Sequence, residues 1–406
     1  MPLYRYKGRK ETGEIVEGVL EAHDEDGIMQ RVSELGYSIS SISQERTSSR
    51  FHFQEDILIR FSRIRKTDIS QFARQLATML RSGLTALQAF DVLIEQSENK
   101  KFQQVLTQVK RDIEEGISLS NALAKHPKIF SSLFMNTLRV GEESGRLEEV
   151  LDQLALFLEK EVDLRAKVKS GLMYPAMLVI TAVFVIVFLV AFVFPKFAYV
   201  FARAKVPLPP PTRILFQFSL LLRSQWYFIL GVIVVIILGA LVYIRTPVGR
   251  LRVDRLKLNL PLFGKLFRKV AISRFSRSME ILTRSGVNIL ASLRMVRESA
   301  ENMVFRNVFE NVEAIVSEGQ GFTQPLERSG EFPSMAVQMI RVGEETGRMA
   351  EAFGNVADNY EQEVDRVLKN LTAILEPVIV VIMAAVVGFI ALSIFLPIFD
   401  MIKVIK

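Results

Sequence analysis

Three stretches of this 406-residue chain carry no charged side chain: Leu172–Phe194, Trp226–Ile244 and Val378–Phe399, of 23, 19 and 22 residues. A helix needs about 20 apolar residues to cross the hydrocarbon core of a bilayer. Backbone in hydrocarbon must also satisfy its own polar groups, which a helix does. Soluble core helices seldom stay uncharged on every face for that length. The runs therefore predict three transmembrane helices, and the rest of the chain has to be arranged around them.

Charge orients these spans. The opening, "MPLYRYKGRK", is charged and lacks an apolar core, so no cleaved signal peptide is expected. About 170 polar residues precede the first span, a long segment to translocate. Lys160, Arg165, Lys167 and Lys169 lie before it, and eight basic residues lie between Arg245 and Lys269, against five in the interval 195–225. The positive-inside rule then places the amino terminus in the cytoplasm and 195–225 in a periplasmic loop. The net charge of +7 is concentrated at span ends, where anionic head groups lie. It forms no basic stripe of the kind that binds nucleic acid. With no cysteine in the chain, disulfides and thiolate chemistry are excluded.

The polar segments divide by periodicity. Residues 1–46 hold "YRYKG" and "EIVEGVLEA" around a turn-like Glu11-Thr12-Gly13, then a helical stretch from Asp24 to Leu35 and "YSISSI", a small ββαβ unit. Residues 47–67, Ser-rich at the start, read as a linker; a surface-lying amphipathic helix is the alternative. From Asp68 the period becomes helical. Ile69, Phe72, Leu76 and Leu80 form one stripe, Phe102, Leu106, Val109 and Ile113 another, and Leu147, Leu151, Leu154 and Leu158 a third. Residues 68–171 thus read as a cytoplasmic bundle of short helices, and 245–372 as a second.

The second bundle repeats the first. "RSGLTAL" at Arg81 returns as "RSGVNIL" at Arg284, an offset of 203 that becomes 202 after one residue is lost near Pro127. "RVGEESGRL" at Arg139 returns as "RVGEETGRM" at Arg341, and the match runs through "EVD" at Glu161 and Glu363 to Pro175 and Pro377 inside the spans. The repeated unit is therefore a helical domain plus the span that follows it. The middle span has no counterpart and brings the chain back, so that two parallel copies use one side of the membrane. The fold class expected is all-α: a polytopic protein with three transmembrane helices, two repeated helical domains and a small amino-terminal unit.

No catalytic constellation is present. His23, His52 and His126 are scattered, and the chain has no HExxH, no phosphate-binding loop and no GxSxG. A transporter subunit or receptor with helical cytoplasmic domains is the alternative reading, and the ionisable group nearest a span is Glu376, before Pro377. A carboxylate at a helix amino terminus accounts for it. Gly388 and Ala384-Ala385, about one turn apart, suit close helix packing in lipid. The duplicated stretch is the strongest candidate site. Gly141 and Gly145, with Gly343 and Gly347, suit a tight inter-helix turn. Glu142-Glu143 and Glu344-Glu345 are expected where the next helix begins. A capped turn accounts for the glycines and less well for paired glutamates, which also suit a basic partner surface. Glu148, Glu149 and Asp152 add acidity at helical spacing; a solvated face is preferred to a cation site, and no metal or cofactor is assigned.

These residues resemble a known family, the GspF/PilC platform proteins of type II secretion systems and type IV pili. The resemblance runs over nearly the whole chain: "YRYKGRKETGEIVEGVLEA", the pair "RQLATMLRSGL" and "RSMEILTRSGV", both GEExG motifs, "FPKFAYVFARAKVPLPPPTRIL" and "LEPVIVVIMAAVVGFIALSIFLPIF". It implies an inner-membrane protein without enzymatic activity. The partners it implies are a cytoplasmic hexameric assembly ATPase, pilins or pseudopilins and other inner-membrane assembly proteins, and a homo-oligomer is expected. A reporter fused after Lys257 should read as cytoplasmic and one after Lys205 as periplasmic. A periplasmic signal at Lys257 would remove the return span and the parallel repeat with it.

Overall fold

The computed structural model of the chain describes residues 3–9, 15–21, 29, 38–44, 63–197, 209–261 and 263–404. Most of the expected linker, His23, His52, Lys205 and the helical stretch 24–35 (save Met29) lie outside the described residues. The chain divides into two compact units, one formed by 1–64 with 98–104 and the other by 65–97 with 105–406.

In the first unit three strands, β1 (Leu3–Arg9), β2 (Ile15–Glu21) and β3 (Ser38–Gln44), form an antiparallel sheet in the order β2-β1-β3. Leu3 pairs with Glu21 and Tyr4 with Gln44, and the register against β3 shifts between Lys7 and Gly8.

Among its described residues the second unit holds helices and no strand; the start of the helix Lys100–Glu114, up to Gln104, belongs to the first unit. The first copy of the repeat comprises α1 (Lys66–Arg81), α2 (Ala86–Gln96), α3 (Lys100–Glu114), α4 (Leu119–Ala124), α5 (Ser132–Glu143) and α6 (Leu147–Phe188). After α7 (Pro210–Ser224), α8 (Trp226–Arg245) and α9 (Pro247–Asn259) comes the second copy. It comprises α10 (Phe263–Arg284), α11 (Ile289–Ser299), α12 (Met303–Ser317), α13 (Thr323–Arg328), α14 (Ser334–Thr346) and α15 (Met349–Val404). The starts of corresponding helices use corresponding caps. Thr85 accepts from the Gln88 N–H at 3.3 Å to begin α2, and Asn288 accepts from the Leu290 N–H at 2.9 Å to begin α11.

The two domain cores match position by position. Phe72, Leu76, Leu123, Phe130, Leu151 and Leu154 are buried in the first; Phe275, Met279, Leu326, Phe332, Phe353 and Val356 stand at the same places in the second. Their rings interlock: Phe72 lies 5.8 Å from Phe130, and Phe275 lies 5.3 Å from Phe332. Each buried aromatic contributes about 1.5–3 kcal/mol relative to leaving it in water.

Among the described residues three helices are long and apolar enough to cross a membrane. Two are not the separate elements that the uncharged runs suggest. Helix α6 continues through a π-helical turn, Leu189–Val193, to Phe197, and α15 runs unbroken for 56 residues, each joining a polar domain to its span. At 1.5 Å per residue the first of these rods is about 75 Å long. Pro175 and Pro377 are accommodated inside the helices. The interval 195–225, read from sequence as a loop, contains α7, whose two amino-terminal prolines favour helix initiation.

Ion pairs tie the first helix of each domain to the last, again in register. Arg74 grips Glu159 at 2.6 and 2.7 Å and Asp152 at 2.7 Å. Its counterpart Arg277 reaches Glu361 at 2.8 Å and Glu280 at 2.7 Å. Lys66 bonds Glu161 at 2.6 Å, and Lys269 pairs with Glu363 in the same way. Hydrogen bonds from Arg74 hold the Glu159 carboxyl below its ordinary range, and Lys269 does the same for Glu363. A carboxylate whose folded value is depressed adds stability above the ordinary range, and that stability is lost as pH falls through the folded value. Acid should therefore weaken both domains below about pH 4.5. The two arginines differ in exposure: the Arg277 side chain is 13% exposed and that of Arg74 34%. Breaking a buried pair costs about 3 kcal/mol or more, whereas a half-exposed pair contributes about 1 kcal/mol or less. Arg277→Met should lower the unfolding free energy of the detergent-solubilised protein well beyond Arg74→Met. Equal losses in denaturant titrations would refute the assignment.

Candidate interaction site

The duplicated stretch forms the same structure twice, and it differs in two respects from the turn that the sequence suggests. Gly145 and Gly347 do close the turns, with φ of +69° and +70° in the left-handed region that side chains avoid. Gly141 and Gly343 instead lie inside α5 and α14, where they permit close approach to the following helix. A Cβ on Gly141 would meet Val150 at 2.9 Å, and one on Gly343 would meet the Ala352 methyl at 2.3 Å. The glutamates end one helix rather than begin the next. Glu142 and Glu143 are in the last turn of α5, and Glu344 and Glu345 in the last turn of α14.

That position is electrostatically unfavourable for a carboxylate on its own helix. The compensation is tertiary. Glu142 accepts from the Ser120 N–H at 3.1 Å, at the start of the six-residue α4. Glu344 accepts from the N–H groups of Phe322 and Thr323, the latter at 3.1 Å, and from the Thr323 hydroxyl at 2.5 Å, at the start of α13. Each first glutamate thus caps a short helix about 20 residues upstream that could not stand alone. Nearby arginines add to the link: Arg341 bonds Glu327 at 2.5 Å, and Arg139 bonds Asn121 at 3.2 Å. Glu143 and Glu345 are exposed and make none of these contacts. The pair of carboxylates is therefore divided, one inward and one outward, in both copies.

Two of the three neighbouring acidic positions are engaged by arginine, Asp152 with Arg74 at 2.7 Å and Glu149 with Arg146 at 2.9 Å. Among the described residues no group of three or more His, Asp or Glu side chains could hold a metal ion.

A second feature has no signature in the sequence. Where the two helical domains meet, a cavity of about 840 Å³ is lined by Phe157, Phe263 and Phe267 together with Arg165, Arg274 and Glu301. Arg165 bonds Glu161 at 3.0 Å and also pairs with Glu301, which receives Arg274 at 2.5 Å. Burial opposes ionisation of Glu301, but the two arginines hold its carboxyl below the ordinary range. Residues 136 positions apart meet here, and no periodicity links them.

In the spans, Glu376 and Pro377 lie in the interior of α15 and are exposed, so the helix-terminus explanation for Glu376 fails. Gly388 has open space beside it, with no atom of the chain within 4 Å of a Cβ placed there. The close contact between α6 and α15 falls instead at Gly171, where a Cβ would meet Leu368 at 3.0 Å.

A helical domain carried on a long membrane helix, present twice in tandem with a single return span between, defines a polytopic membrane protein of duplicated architecture. The comparisons with known proteins assign it further. The profile of "Type II secretion system (T2SS), protein F" matches residues 72–195 and again 275–397, and that of its N-terminal domain matches 1–43. The chain is 40% identical over 403 residues to the type IV pilus assembly protein PilC of Thermus thermophilus, covering 99% of this chain and 98% of that one. It is 34% identical to PilC of Myxococcus xanthus, covering 98% and 94%, and 30% identical to the type II secretion system protein F of Xanthomonas campestris, covering 99% of each. The chain belongs to the type II secretion system protein F family, and the two matched regions are the two repeats.

Removing Glu344 leaves the Phe322 and Thr323 N–H groups at a helix start without their acceptor. Glu344→Ala should cost about 1–2 kcal/mol, and Glu345→Ala should be within about 0.5 kcal/mol of the parent. Equal effects in thermal unfolding would show that the two carboxylates are not divided as described.

Proposed function

We propose that the chain is the inner-membrane platform of a type IV pilus or type II secretion machine, with both helical domains and the small amino-terminal unit in the cytoplasm. On this reading a cytoplasmic hexameric ATPase drives it and pilins or pseudopilins are taken up beside its spans. Other inner-membrane assembly proteins and further copies of the chain complete the base. The reading assigns no catalytic residue and no cofactor.

The observation that carries it is the continuity of α6 and α15. Each is a single rod from a domain core into the apolar run, so a displacement applied to a domain is delivered to the membrane without a flexible joint. The paired domains present similar turns to a partner, each with an outward carboxylate, Glu143 and Glu345. Several ATPase subunits with basic surface could engage the two in turn. Within the bilayer, Gly388 with Ala384 and Ala385 forms a small-residue face directed away from the rest of the chain, suited to a second membrane helix.

Replacing Glu143 and Glu345 together by Gln should lower pilus or secretion output while leaving helix content and membrane insertion unchanged. The volume is kept and the inward caps are untouched. Full output from the folded double variant would sink the proposed contact. Gly388→Leu should also lower assembly without unfolding the helical domains. Unchanged output, with normal amounts of protein in the membrane, would count against a packing role there.

A further inference from the structure

Helix α7 has three distinct faces. Thr212, Leu215 and Ser219 form a buried face, with Phe216 and Leu222 partly buried beside it. This face packs against Val190 and Phe194 of the first span and Ile390 of the third, with Ile186, Leu189, Val386 and Ile394 around them. The Thr212 hydroxyl donates to the Ser393 carbonyl at 2.7 Å, with both residues buried. A second face carries Ile214, Phe218 and Leu221, at i, i+4 and i+7, which are 63%, 55% and 47% exposed. The third is exposed and mainly polar: Arg213, Gln217 and Ser224, with Leu220, 48% exposed, at its edge.

Its packing partners fix where this helix lies. Ser393 is six residues from the end of the third uncharged run at Phe399. At 1.5 Å per residue the contact sits about 9 Å inside that run. An Ile-Phe-Leu face in water would be costly at roughly 25 cal/mol per Å². Beside a transmembrane helix at that depth, the medium on the open side is acyl chain.

We propose that α7 is an interfacial membrane helix docked on the first and third spans. Its Ile214-Phe218-Leu221 face inserts among lipid acyl chains, and its Arg213-Gln217-Ser224 stripe faces the head groups and water. The pattern is that of an amphipathic helix at the membrane boundary, with one flank taken by protein instead of lipid. Arg213 can keep its guanidinium in the head-group layer by extending its stem along the helix. The ligand is a bilayer surface, and anionic head groups complement the arginine.

The chain contains no cysteine and a single tryptophan, Trp226, so a cysteine probe has no background and a tryptophan probe needs one substitution. Full-length variants Arg213→Cys, Ile214→Cys, Gln217→Cys, Phe218→Cys and Leu221→Cys would be reconstituted into phosphatidylethanolamine–phosphatidylglycerol vesicles. Each would be treated with a charged maleimide supplied to both faces. The expected pattern is alternation by face, with 213 and 217 labelled at least about tenfold faster than 214, 218 and 221. In a second measurement Phe218→Trp, made in a Trp226→Phe background, should be quenched by lipids brominated on their acyl chains. Helix content by circular dichroism screens out misfolded variants, and the five positions make the pattern independent of any one substitution. Equal labelling at all five positions would place the helix in water and overturn the proposal. Protection at 214, 218 and 221 without bromine quenching would overturn it too, because the cover would then be another protein surface such as a second copy.

Discussion

Backbone hydrogen bonding in hydrocarbon is the constraint on which the rest of this structure depends. An N–H or C=O group inside the bilayer has no water to bond, so a span has to enter as a helix and remain one. The chain meets that requirement by extending the last helix of each domain directly into the membrane. Because α6 and α15 are continuous, the domain and its span form one rigid element, and the domain's core packing also orients the span. Pro175 and Pro377 sit near the start of the uncharged runs at corresponding places in the two copies, where one missing N–H is tolerated.

Duplication has preserved the interactions that define each domain and altered those that do not. The Arg–Glu clamp between first and last helices, the Lys–Glu pair beside it, the aromatic core and the glutamate that caps the short helix recur in register. The surroundings of the clamp have diverged. Arg74 adds Asp152 and remains a third exposed, whereas Arg277 adds Glu280 and Asp358 and is nearly buried. Glu280 lies against Gly354, where a side chain would clash with it at 2.8 Å. Gly354 stands where Asp152 stands in the first copy, so the carboxylate has moved from the last helix to the first. The second copy thus gathers three carboxylates round its arginine where the first gathers two.

The contact between the domains is of another kind. Lys160 with Glu361, Lys167 with Asp365 and Arg165 with Glu301 join residues of different copies. Between these pairs, Leu164, Leu266, Val364, Leu368 and Leu371 form an apolar cluster joining α6, α10 and α15. Apolar packing and ion pairs alternate along this interface, the first supplying non-directional cohesion and the second charges that set its register.

The sequence by itself determined the number of spans, the two helical domains, the register of the repeat and the core positions. These follow from local quantities: charge-free length, the 3.6-residue period and near-identity at a fixed offset. It also pointed to the duplicated turn and to the glycines that close it. Tertiary structure alone decided what each residue there does. Glu142 and Glu344 were legible as charges but not as caps, because the helix that each one caps is about 20 residues upstream. Gly141 and Gly343 gave no sign that they touch Val150 and Ala352. The face of α7 against the spans, the Gly171–Leu368 contact and the ionic network around Glu301 were likewise invisible. Periodicity reports which side of a helix is apolar; what lies against that side depends on contacts between residues far apart in the chain, and these exist only once the helices have packed.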